Sequence, residues 1–163
     1  MAGDDATHTR FVPGLELSRA LYEEAVRPIL AETFAGLVQT AARIGSGSEV
    51  LGYDSLRSSD HEWGPRLDVF LDAEDRATRG VELRRVLAER LPKQIRGWPT
   101  HFRESDDPLD PVGRMEPTDG AVNHRVLVHD VATWLTSHVG IDVASREPST
   151  LEWLAIPNRT SPR

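Results

Sequence analysis

The stretch that decides the fold is 44–63, IGSGSEVLGYDSLRSSDHEW. It sets a run of small, turn-forming residues beside two carboxylates, Asp60 and Glu62, one residue apart. A packed core gains nothing from neighbouring anions, because burying a charge without a partner is costly. The pair therefore either stands idle in solvent or meets something cationic.

Working outward, the segment before the turn, LVQTAARIG (37–45), reads as a short buried strand that delivers the chain to it. From Asp60 to Asp72 apolar and polar residues alternate. His61, Trp63, Leu67, Val69 and Leu71 fall on one side, and Asp60, Glu62, Arg66, Asp68 and Asp72 on the other. That period of two predicts a half-buried strand over 60–72. Pro65 cannot donate to a ladder, so an edge position or a bulge is expected. Helices are expected over 15–34, where Pro28 should end or kink the run near Val26 and Arg27, and over 77–92, closed by Pro92. Residues 97–104 read as a short strand, 104–121 as an acidic loop, 124–131 as a strand and 132–140 as a helix. The expected fold is α/β (α+β): a small mixed β-sheet backed by helices. Residues 1–13 form a loose lead-in, 14–145 the domain, and 146–163 a tail whose Leu151, Trp153, Leu154 and Ile156 dock on it.

The 163 residues suffice for one domain with a core. A net charge of −7 argues against a long nucleic acid as ligand. The absence of cysteine excludes disulfides and thiolate metal sites. No apolar run reaches the roughly 18 residues of a membrane span. The N-terminus MAGDDATHTR is too acidic for a signal peptide, so no membrane association and a cytoplasmic location are expected.

If 60–72 is extended throughout, Asp60 and Glu62 share a face about 7 Å apart and can hold Mg2+ between oxygen ligands. Gly47 lets the backbone approach a phosphate, to which the following amides and the Ser48 hydroxyl donate.

Gly47-Ser48, then eleven residues, then Asp60-His61-Glu62 resembles the signature of the polymerase-beta-like nucleotidyltransferase superfamily. The wider wording GSGSEVLGYDSLRSSDHEWGPR, with FVPGLELSRALYEEAVRPIL and LEWLAIP, looks like an uncharacterised bacterial family within it. The resemblance implies Mg2+-dependent transfer of a nucleoside monophosphate from a triphosphate (ATP is the expected one) to a small-molecule or protein acceptor. Gly47 and Ser48 would contact the β and γ phosphates, and Asp60 and Glu62 would ligate the metal. Arg57 and Arg66 flank the motif and are placed to offset pyrophosphate charge. The superfamily also implies a third carboxylate from a later strand. Asp130, at the end of HRVLVHD, is the candidate and His129 the other; Asp68 would lie about 20 Å from Glu62 along an unbroken strand, too far to share its metal. Relatives continue into a helical region after LEWLAIP, which implies a partner protein that supplies it.

Plainer readings stand beside these. Ser46-x-x-Glu49 matches a helix capping box. Asp60 and Glu62 could be charges guarding an edge strand. The histidines lack helical zinc spacing, and the tryptophans read as core or docking anchors. The alternative function is a catalytically inactive nucleotide-binding or protein-interaction module, antitoxin-like, on the same fold.

Overall fold

The computed structural model describes residues 10–60, 63–104 and 113–156, the side chains of Ser59 and Asp60 excepted. Two α-helices, α1 (Gly14–Leu21) and α2 (Arg27–Thr33), are joined by a π-helical turn, Tyr22–Val26. Strand β1 (Thr40–Ala42) follows, then two 3₁₀ turns, Ser48–Leu51 and Leu56–Asp60. Next come β2 (Arg66–Leu71) and α3 (Ala73–Arg90). Four two-residue strands succeed it: β3 (Gln94–Ile95), β4 (Trp98–Pro99), β5 (Phe102–Arg103) and β6 (Arg114–Met115). The chain then forms β7 (Arg125–Asp130), α4 (Val131–Val139) and α5 (Thr150–Leu154).

The main sheet has the order β1-β2-β7, with β1 antiparallel and β7 parallel to β2. It is a small mixed sheet backed by helices, as the alternation of element types implied. Leu67, Val69 and Leu71 of β2 and Val126 and Val128 of β7 face one way. They pack on Leu21, Val26, Ile29 and Leu30 of the first helical run and on Leu83, Val86 and Leu87 of α3. A second apolar cluster joins Leu17, Ala20, Trp63 and Ile95, with Phe11, Trp98 and Met115 against it.

Several expectations need correcting. Pro28 does not end the helical run, but the run is interrupted where a break or kink was expected, by a π turn that closes at Val26. A proline inside a helix removes one N–H and crowds the carbonyl four residues back. The wider π turn lies immediately upstream, and Pro28 sits in the first turn of α2, where no N–H partner is required. The expected strand at 60–72 begins only at Arg66. Asp60 closes a 3₁₀ turn, and Gly64 takes φ 137°, which breaks the extended run. Glu62 lies outside the described residues. Pro65 precedes a central strand rather than marking an edge, because β2 is flanked on both sides. Helix α3 starts earlier than expected, at Ala73, since the Asp72 carboxylate accepts the Asp75 amide at 2.7 Å and caps it. Of the tail expected to dock, Leu151 and Leu154 of α5 are 77% and 70% exposed.

Candidate functional site: a cationic cleft on the open face of the sheet

Side chains alternate across a strand, so the face opposite the core is lined by Arg66, Asp68 and Phe70 of β2 and Arg125, Leu127 and His129 of β7. The register sets Arg66 beside Arg125, Asp68 beside Leu127, and Phe70 beside His129. Loop 43–46 after β1 and helix α4 wall this face, leaving a cleft of about 400 Å³.

The loop is built around Arg43. Its guanidinium donates to the Ile44 and Ser46 carbonyls and, at 2.6 Å, to the Glu49 carboxylate. Arg66 donates to the same carboxylate oxygen. Glu49 is only 2% exposed, so this Arg43–Glu49–Arg66 cluster is a buried anion held by two cations. Burying a lone carboxylate would be prohibitive, and two hydrogen-bonded guanidiniums are what make the position tenable. A trans peptide points its C=O and N–H in opposite directions. With the carbonyls of Ile44 and Ser46 turned to Arg43, the amides of Gly45 and Gly47 turn away from it. Neither donates to a described residue.

Gly47 has a local reason to be glycine. Its φ is 136°, and a β-carbon there would stand 2.3 Å from the Glu49 carboxylate. The Ser46-x-x-Glu49 capping box does not form. Gly47 precedes the 3₁₀ turn without a side-chain cap, and Glu49 is drawn inward by the arginines.

On the cleft floor His129 Nε2 lies 2.9 Å from Asp68 Oδ1. Phe70 tilts against His129 at 5.3 Å and meets Trp134 of α4 edge-on at 5.7 Å. Trp134 in turn stacks on His138 at 4.6 Å and 10°. Arg125 donates to Asn123 Oδ1 at 3.1 Å and lies 5.3 Å over the Phe102 ring. The named cleft charges are three guanidiniums, Arg43, Arg66 and Arg125, against the carboxylates of Asp68 and the buried Glu49.

The structure distributes the sequence candidates unevenly. Arg66 lines the cleft, and its guanidinium pairs with Glu49; the Asp60 side chain lies outside the described residues. Gly47 and Ser48 adjoin the cleft, while its wall is made by Gly45 and Ser46. Arg57 is exposed on the second 3₁₀ turn, outside that lining. Asp130 is the end cap of α4: its Oδ1 accepts the Thr133 amide at 2.8 Å. That hydrogen bond holds its carboxyl below the usual carboxylate range. Asp60 is not on the strand that was to align it with Glu62, so the shared-face geometry does not apply to it. The distance argument against Asp68 fails for the same reason. Among the described residues no three His, Asp or Glu side chains converge as a metal site; the Asp60 side chain and Glu62 lie outside that set.

Sequence reasoning missed Glu49 as a buried anchor, Arg43 as the staple of the turn, and the pairing of Asp68 with His129. It also missed Asp54, whose Oδ2 accepts both the Gly14 amide at 2.6 Å and the Trp63 indole N–H at 2.9 Å. Only the alternation of Asp68 and His129 with buried valines could have flagged a polar sheet face.

No family model, curated protein or solved structure matches the chain. Fold and site together define an α/β domain with a cationic, aromatic-walled cleft on the open face of its sheet. No helix among the described residues is long and apolar enough to cross a membrane.

Proposed function

We propose that the chain binds a nucleoside triphosphate in this cleft and, as a nucleotidyltransferase, moves the nucleoside monophosphate to a small-molecule or protein acceptor. The supporting observation is the stapled turn, whose Gly45 and Gly47 amides are turned from Arg43 in a loop that walls a cleft bearing three arginines. Backbone amides presented together by a glycine turn are an anion cradle, and guanidiniums match phosphate oxygens in pairs.

Asp60 and Glu62 supply hard oxygen donors of the kind Mg2+ takes, and the ion would neutralise charge on the phosphates. The acceptor hydroxyl oxygen forms a bond to the α-phosphorus, the bond from that phosphorus to the bridging oxygen breaks, and pyrophosphate leaves. The hydroxyl proton goes to His129, oriented by Asp68. Asp130 drops out of that role because its carboxylate is engaged at the helix cap. Arg66 and Arg125 stabilise the leaving pyrophosphate by charge.

The test is calorimetric titration of the full chain with ATP, with and without Mg2+. Asp60→Ala removes the Mg2+-dependent part of binding; binding unchanged in that variant would sink the proposal. A second reading is a nucleotide-binding or antitoxin-like module without turnover. It is favoured by the engagement of Asp130 and by the exposed Leu151 and Leu154, which offer a partner an apolar edge. Pyrophosphate release with any acceptor rules that reading out.

A further inference from the structure

The cleft is polarised along its strands. Arg66 and Arg125 are register partners at the start of β2 and β7, beside the Arg43-stapled loop. Phe70 and His129 are register partners four residues on, beside Trp134 and His138. At the strand rise those two ends are about 13 Å apart. Leu127, half exposed, lies between them on the floor. One end is therefore suited to a polyanion and the other to a flat, polarisable ring. Inorganic tripolyphosphate is too short to use both, whereas a nucleotide has its charge and its ring at opposite ends.

We propose that the Trp134–His138 stack is a nucleobase seat, with the phosphates lying toward Arg66, Arg125 and the Gly45 turn. This rests on the triphosphate reading above and adds the direction in which the ligand lies. The Trp134–His138 pair is already parallel at 4.6 Å, so a base extends an existing stack without rearranging a side chain. Phe70 meets the indole nearly perpendicular at 5.7 Å and links the platform to β2. An aromatic platform holds any base by its π face, so the seat favours nucleotides as a class without selecting one.

The experiment is calorimetric titration of the full chain with Mg·ATP and with Mg·tripolyphosphate, repeated on Trp134→Leu and Trp134→Phe. The wild type binds ATP about tenfold more tightly than tripolyphosphate, within what base stacking on an aromatic ring provides. In Trp134→Leu the ATP affinity falls to that of tripolyphosphate, whose own affinity is unchanged; Trp134→Phe recovers most of the difference. Equal affinities in the wild type overturn the base seat and leave the triphosphate cradle standing. An equal loss of both ligands in Trp134→Leu also overturns the seat, since the ring then acts only through the fold. If neither ligand binds the wild type, the seat and the triphosphate reading fall together.

Discussion

Glu49 organises the loop that walls the cleft. It holds Arg43 and Arg66, and through Arg43 it fixes the turn that faces the cleft. It also dictates two glycines: a β-carbon on Gly14 would lie 2.6 Å from the Glu49 β-carbon, and one on Gly47 would strike its carboxylate. Removing one member of a buried ion cluster leaves the others charged and unpaired. Glu49→Ala should therefore cost about 3–5 kcal/mol in urea unfolding, and a loss under 1 kcal/mol would contradict the cluster. In the sequence Glu49 looked like a capping residue because the two arginines that capture it lie six residues before it and seventeen after it. Local spacing carries no trace of that second arginine.

Among the elements, α4 most directly links fold to site. Asp130 caps its start, Gly140 closes it in the left-handed conformation, and Trp134 and His138, four residues apart, stand on one side of it. Asp130→Ala should lower stability by about 1 kcal/mol, whereas Asp130→Asn, an equally good cap, should stay close to wild type at pH 7. The folded pKa of Asp130 is depressed. Its contribution is thus present above the unfolded carboxylate value and fades as pH falls through the folded one. Chemical denaturation of both variants at pH 7 and at acid pH checks the cap and its sign. The boundaries of this helix and of β7 were legible from period and from glycine. The start of β2 was not, because the alternation of 60–72 runs unbroken through Gly64 and Pro65 while the backbone does not.

Across the whole molecule, contacts between distant segments decide both stability and pH response. His124, between the short strands and β7, accepts the Val126 amide at Nδ1 and donates from Nε2 to the Arg84 carbonyl on α3. Burial, helped by the nearby Arg84 and Arg125 charges, favours the neutral ring and pushes its pKa down, against the hydrogen bond to the Arg84 carbonyl. A base with a depressed folded pKa contributes stability above its unfolded value and loses it as pH falls below that value. The urea midpoint should therefore drop between pH 7 and pH 5, and His124→Asn should flatten that drop. An identical slope in the variant would assign the loss elsewhere. The sheet-and-helix architecture followed from the order of periodic segments. The cleft did not, since it takes Arg43, Arg66, Arg125 and Trp134 from four separate stretches of chain.

By itself the sequence determined the main helices and the strands β1 and β7, because hydrophobic period and end-capping residues act within a few positions. Tertiary structure alone decided which charges are buried, which strand is central and which side chains meet across the open face. Those outcomes depend on register between β1, β2 and β7 and on a carboxylate shared by distant arginines. Neither leaves a signal at any fixed spacing along the chain.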